Sequence, residues 1–207
     1  MGLYLSPIWH TLLEQYRDSF GYMQNLYNGG VSEGIKAGRP WMLDNGVYSG
    51  KFTTESWIVE LERWSDYVDT CLGVVVPDGV GDAELTLKRW KEFSGIPRSY
   101  GYRVCFVSQD GMITEDVPWD EFDALFVGGT DHHKLNGEGE ALCRESLSRK
   151  KWLHIGRVNS AKRILRFWYA DSFDGTKLSI EPSIRNQRRI LHAARVAEQM
   201  KKGEMLL

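Results

Sequence analysis

Cysteine is scarce in this chain. The 207 residues hold three, Cys71, Cys105 and Cys143, far apart and with no Cys-x-x-Cys pair. That pattern argues against a thiolate zinc site and for a reducing compartment. Long apolar runs are lacking too. Stretches such as Leu72 to Pro77 fall far below the roughly 20 residues that a membrane helix needs, so no membrane partner is expected. No basic-plus-apolar targeting segment opens the chain, and the expected location is the cytoplasm. The opening Met1-Gly2-Leu3-Tyr4-Leu5-Ser6 fits the loose myristoylation pattern, but an N-terminal strand is the preferred reading.

Single-motif chemistries are also missing. Gly128-Gly129 belongs to no Gly-x-Gly-x-x-Gly fingerprint and precedes no Gly-Lys-Ser/Thr, which removes dinucleotide and P-loop readings. Ser49, Ser108 and Ser160 lie in no Gly-x-Ser-x-Gly elbow, which argues against a serine hydrolase. His132-His133 is not part of a His-Glu-x-x-His pair, and neighbouring loop histidines rarely converge on one ion. Neither a metal nor a cofactor is expected. No self-similar period of 20 to 50 residues is present, which disfavours solenoids and propellers.

What is present is a packed composition: 42% apolar, 26% charged and 12% aromatic residues, with eight Trp. The length suits one domain spanning residues 1–207. A net charge of -2 conceals a polarity, because from Arg144 to Leu207 fifteen Lys/Arg stand against six Asp/Glu and the rest of the chain is acidic. Such a basic stretch suits a polyanion, with solvated basic helix faces as the alternative.

Short apolar runs alternate with helical patterns, the rhythm of a parallel α/β protein. Seven strands are expected, near Leu3 to Ser6, Trp41 to Leu43, Leu72 to Val76, Val104 to Val107, Ala124 to Val127, Trp152 to Ile155 and Ser172 to Phe173. Helices are expected over Thr53 to Thr70, Ala83 to Phe93, Glu138 to Arg149, Asn159 to Tyr169 and Pro182 to Lys202, the last opening on a first-turn proline. Gly29-Gly30 and the stretch from Gly111 to Pro118 read as loops. Seven or eight such units suit a compact (β/α)8 TIM-like barrel, trimmed from the typical length of about 250 residues. An open doubly wound sheet is the competing fold.

The strand ends decide in favour of the barrel. Asp44-Asn45-Gly46, Pro77-Asp78-Gly79, Ser108-Gln109-Asp110-Gly111, Gly128-Gly129-Thr130, Gly156-Arg157-Val158-Asn159 and Asp174-Gly175-Thr176 each follow a strand. Any one of them alone is an ordinary turn. Six in succession place carboxylates, amides and glycines at the one barrel face where active sites are built. Cys105 lies inside a strand and reads as core.

Laid out this way, the chain resembles the tRNA-guanine transglycosylase superfamily, and most closely its short phage relatives that insert 7-deazaguanines into DNA. Asp44-Asn45-Gly46 resembles the family's Asp-Ser-Gly motif, and Val76-Pro77-Asp78 the segment whose aspartate reads the purine. Val107-Ser108-Gln109-Asp110-Gly111 is similar to the Val-Gln-Gly-Gly run, and Gly128-Gly129 to the glycine pair that approaches the base. Ile155-Gly156-Arg157-Val158 resembles Met-Gly-Val-Gly, and Phe173-Asp174 the Phe-Asp that carries the nucleophile. The resemblance covers about Trp41 to Thr176. Asn45 stands where serine is usual, Asp110 interrupts the double glycine, and the Cys-rich zinc-binding subdomain is missing.

The resemblance implies a glycosyltransferase that replaces guanine in DNA by a free 7-deazaguanine such as preQ0, in the host cytoplasm if the chain is phage-encoded. Asp174 is then the nucleophile and Asp44 the second carboxylate, with Asn45, Asp78, Gln109, Gly128, Gly129 and Arg157 around the base. Missing the zinc subdomain, which supports tRNA docking in the family, tips the expected partner to DNA, with tRNA as the alternative. Lys162, Arg163 and Arg166 on one helix, and Arg185, Arg188, Arg189 and Arg195 on the next, are the expected phosphate contacts. Tyr48, Trp119 and Phe126 are candidate stacking platforms, with core the preferred reading of each. A nucleoside hydrolase or glycosylase and a non-catalytic purine-binding module remain open.

Overall fold

Every apolar run marked out above is a strand in the computed structural model, which describes residues 2–7, 16, 18–26, 32–181 and 183–204. In chain order the strands are β1 (Leu3–Ser6), β2 (Phe20–Gln24), β3 (Trp41–Leu43), β4 (Cys71–Val75), β5 (Val104–Ser108), β6 (Ala124–Val127), β7 (Trp152–Ile155) and β8 (Ser172–Asp174). They close into one barrel in sequential order, β1 to β8, with parallel pairing at β1/β2, β4/β5, β5/β6, β7/β8 and β8/β1. With helices between the strands this is a (β/α)8 barrel. The expected fold is therefore present, and the open sheet is excluded.

Strand β2 is the one the sequence hides. Phe-Gly-Tyr-Met-Gln has a glycine and an amide in place of a β-branched run, yet all five residues are buried. Gly21 is there because the chain passes close: an added Cβ would lie 2.6 Å from the Pro40 carbonyl oxygen and 2.7 Å from Leu5 Cδ2.

The helices are α1 (Ser32–Lys36), α2 (Thr54–Arg63), α3 (Ala83–Phe93), α4 (Gly95–Ser99), α5 (Asp131–Leu135), α6 (Gly137–Ser148), α7 (Ala161–Arg166), α8 (Lys177–Ile180) and α9 (Ile184–Lys201). The expected helix over Thr53 to Thr70 is shorter. Thr53 and Ser56 cap the start of α2 reciprocally, but Trp64 leaves helical geometry at φ -105° and ψ 7°, and Ser65–Thr70 continues as a 3-10 helix. The helix expected over Asn159 to Tyr169 narrows to α7, because Ser160 caps it and Asn159 Oδ1 instead accepts the Lys177 N–H at 2.9 Å. Ser183 caps α9. Pro182, Gly29-Gly30 and Met1 of the myristoylation pattern lie outside the described residues. No helix among the described residues is long and apolar enough to cross a membrane.

The chain separates into two compact units: Met1–Gln24, Asn28–Trp41 and His154–Leu207 form the first, and Asn25–Tyr27 and Met42–Leu153 the second. In the first, α9 packs on β1 and α7 through Ile190, Leu191, Ala193, Ala194, Ala197 and Met200, an apolar stripe at helical spacing. In the second, Trp90, Phe106 and Phe122 form the aromatic core, with Phe106 and Phe122 stacked at 5.5 Å.

Candidate active site

Each unit carries its own group of polar side chains at strand ends. In the first, β7 and β8 pair with His154 opposite Ser172. Ser172 and Asp174 are two apart on a strand and so share a face. His154 joins them: its Nδ1 lies 2.8 Å from Ser172 Oγ and its Nε2 lies 3.1 Å from Asp174 Oδ1. The Arg157 backbone N–H donates to the same Oδ1 at 3.0 Å, from a residue held in the left-handed region at φ 57°. The Val158 N–H donates to the Asp174 carbonyl at 2.6 Å, which ties the β7 turn to the end of β8.

Asp174 is therefore placed by backbone and side chain together. Its side chain keeps 20% exposure while His154 is fully buried. Both hydrogen bonds that the described residues give this carboxylate fall on Oδ1. Close by, Tyr4 donates to the Val158 carbonyl at 3.3 Å, and burial followed by the Asp174 charge pushes its phenol pKa up. Gly175 makes the approach possible, since a Cβ there would lie 2.7 Å from the Tyr4 hydroxyl and 2.5 Å from Asn159 Oδ1. His154 and Ser172 stand beside Asp174, and the sequence alone does not single them out. Their signal is present as polar residues inside the buried strands Trp-Leu-His-Ile and Ser-Phe-Asp. Asp171, just before β8, is instead ion-paired with Lys201 of α9.

In the second unit three of the expected base contacts, Asn45, Asp78 and Gln109, form one buried group. The Asn45 amide donates to Asp78 Oδ1 at 2.8 Å and to the Val76 carbonyl at 3.0 Å. Asp78 Oδ2 accepts from the Gln109 amide, and Gln109 Oε1 accepts the Gly81 N–H at 2.9 Å. Arg89 donates to the Asp78 carbonyl. Burial raises the Asp78 carboxyl above the usual range, opposed by the Asn45 and Gln109 hydrogen bonds. Gln109, expected beside the base, is thus engaged at both ends of its carboxamide within the protein. Asp44 follows β3 and is half-buried.

The glycine pair has internal reasons as well. The Gly128 N–H donates to the Ser108 carbonyl at 3.1 Å, and a Cβ there would lie 2.8 Å from Val107 Cγ1. Gly129 sits at φ 66°, where a Cβ would also meet Asp110 Oδ2 at 2.7 Å. Asp110 accepts from the Thr130 hydroxyl and, at 2.8 Å, from its N–H. Burial raises the Asp110 carboxyl, but those two bonds outweigh it and hold the group below the usual range. His133 lies 3.3 Å from Ser108 Oγ through Nε2 and is buried, which holds its imidazole below the usual range against the Asp110 charge. No group of three His, Cys, Asp or Glu among the described residues is placed to hold a metal ion.

The basic helices belong to the first unit. Lys162 and Arg166 on α7 are exposed and Arg163 is half-buried. Arg185, Arg188, Arg189 and Arg195 on α9 are all exposed, at spacings that place them on one face opposite the apolar stripe. Of the stacking candidates, Tyr48 is 66% exposed and Phe126 half-buried. Trp119 is core, the reading preferred for it: it is buried and lies 5.6 Å from Phe122, with Arg149 over its ring at 5.4 Å. Cys105 is core, as expected.

No family model matches this chain, and no curated protein matches it. Solved structures do. The 3-hexulose-6-phosphate synthase of Salmonella typhimurium superposes with a TM-score of 0.52 at 14% identity, over 99% of this chain and 100% of that one. The tryptophan synthase alpha chain of Legionella pneumophila subsp. pneumophila superposes with a TM-score of 0.51 at 10% identity, over 94% of this chain and 84% of that one. Both likenesses show the fold, a (β/α)8 barrel.

Proposed function

We propose that this chain is a base-exchange glycosyltransferase of the guanine transglycosylase type, which replaces guanine in DNA by a free 7-deazaguanine such as preQ0. The observation that supports it most is Asp174: a partly exposed carboxylate at a strand end, anchored through Oδ1 by His154 and the Arg157 N–H. Exchange with retained stereochemistry needs such a group. Its other oxygen, Oδ2, attacks C1′ as the guanine leaves, and the incoming base then displaces the carboxylate from the covalent intermediate.

Asp44 serves as the second carboxylate, giving a proton to the departing guanine and taking one from the incoming base. Asp78 accepts from the N1–H and N2–H2 edge of guanine, with Asn45 and Gln109 orienting its two oxygens. The Gly129 backbone addresses the O6 side, which discriminates against the 6-amino group of adenine. Arg157 meets a phosphate near the reacting sugar. The basic faces of α7 and α9, through Lys162, Arg163, Arg166, Arg185, Arg188, Arg189 and Arg195, take up the rest of the strand. The guanine must be single-stranded or flipped out, since C1′ is inaccessible within a duplex.

The test is incubation with guanine-containing DNA, or with tRNA, and labelled 7-cyano-7-deazaguanine, followed by counting label in the polymer. Label in DNA is expected. Label only in tRNA overturns the DNA assignment, release of guanine without label marks a glycosylase, and binding without either marks a purine-binding module.

A further inference from the structure

We infer that His154 is a positioning residue for the second displacement: by donating to Asp174 Oδ1 it makes the aspartyl–sugar ester break, and does little to help it form. The inference rests on the base-exchange reading and deepens it.

The proton placement follows from the contacts. An ionised Asp174 has no hydrogen to give, so the hydrogen in the 3.1 Å contact between His154 Nε2 and Oδ1 is on the nitrogen. In the neutral ring Nδ1 then carries a lone pair, and it accepts from the Ser172 hydroxyl at 2.8 Å. The Asp174 carboxylate, which can only accept, thereby fixes the Nε2–H, and the Ser172 hydroxyl, which can donate or accept, holds the far side of the ring. Both residues are fully buried, so the ring is held, while the carboxylate it serves is partly exposed. A second donor, the Arg157 N–H, converges on the same oxygen at 3.0 Å.

Consider the charge on that oxygen through one cycle. In the first displacement Oδ2 bonds to C1′, the C1′–N9 bond breaks, and its electron pair leaves with guanine, which gains a proton. Asp174 becomes a neutral ester, and the hydrogen bonds to Oδ1 weaken because their acceptor is no longer charged. In the second displacement the nitrogen of the incoming base bonds to C1′ and gives up its proton, while the C1′–Oδ2 pair returns to the carboxylate. Negative charge reappears on Oδ1, where two donors already wait. They stabilise the leaving carboxylate, and for the same reason they restrain the free carboxylate as a nucleophile. Removing one donor therefore slows ester cleavage selectively. A merely structural histidine would slow both steps together.

The experiment is a single-turnover chase. A single-stranded, guanine-containing oligonucleotide is mixed with enzyme, the covalent adduct is read by denaturing electrophoresis, and 7-cyano-7-deazaguanine is then added to clear it. For His154→Leu the adduct should form at least as fast as in wild type and clear about ten- to a hundredfold more slowly, the effect of removing one charge-assisted hydrogen bond. His154→Gln, whose Nε2 is a donor at the matching position, should recover most of the clearance rate. Ser172→Ala, which removes the hydroxyl that holds the ring at Nδ1 with less disturbance of packing, should slow clearance more mildly and decides the matter should His154→Leu not fold. Formation and clearance slowed equally in these variants, or clearance unaltered, overturns the inference alone. A wild-type protein that never forms an adduct overturns the base-exchange reading, and the inference falls with it.

Discussion

Asp171 and Asp174 lie within three residues of each other and keep different company. Lys201 takes Asp171, whereas Asp174 is held through Oδ1 by His154 and the Arg157 backbone. Asp174→Asn is close to isosteric, so it should fold and bind nucleic acid while losing base exchange by about four orders of magnitude or more. Asp171→Asn should retain exchange and lose a partly exposed ion pair. The reverse pattern in an exchange assay would move the nucleophile to Asp171. Asp78 is a different kind of residue, because it is both a candidate reader of guanine and the acceptor for two buried amides. Asp78→Ala should weaken purine binding in calorimetry by about 1.5 to 3 kcal/mol, and should lower stability through the donors it strands. A stability loss with unaltered base affinity would make Asp78 a clamp between loops. His133 should leave a signature in pH. Burial depresses its pKa, so folding favours the neutral ring; its contribution is complete above the unfolded value near 6.5 and declines as pH falls through the lower folded value. His133→Gln should flatten that acid slope in denaturant titrations between about pH 7 and pH 5, and equal slopes would assign it to another group.

Helix α9 shows how much of an element its sequence can carry. Alternation of alanine, leucine and isoleucine with arginine at helical spacing sets both its buried stripe and its basic face, and both are legible in the sequence. Replacing Arg185, Arg188 and Arg189 together by Ala should weaken DNA binding without regard to sequence. It should also flatten the salt dependence, by about 0.9 in the slope of log affinity against log salt for each duplex phosphate that the helix no longer neutralises. An unaltered slope would mean that this face meets no phosphate. Strand β2 shows the opposite case. Its glycine answers to the Pro40 carbonyl and the Leu5 side chain, neighbours far away in the chain, so nothing local marks it as a strand. The break after α2 is similar: the apolar spacing of Trp57, Leu61, Trp64 and Val68 runs through it, and only the backbone turn at Trp64 ends the helix.

For the whole molecule, the βα rhythm and the six polar strand ends carry the barrel, because parallel strands covered on both faces leave continuous apolar signatures. The composition of the site is legible at the strand ends and its wiring is not. Asp174 can be named, but the histidine that orients it sits inside a strand, where sequence reads packing; Gln109 can be named, but not that its carboxamide is spent on Asp78 and Gly81. The covalent chemistry assigned to Asp174 is open to one direct measurement. Wild-type protein is incubated with single-stranded, guanine-containing DNA and no incoming base, and the digested adduct is mapped by mass spectrometry. Base exchange predicts a DNA-linked peptide modified on Asp174, released by added 7-cyano-7-deazaguanine; a peptide modified elsewhere, or no linked peptide while guanine is still released, would contradict it.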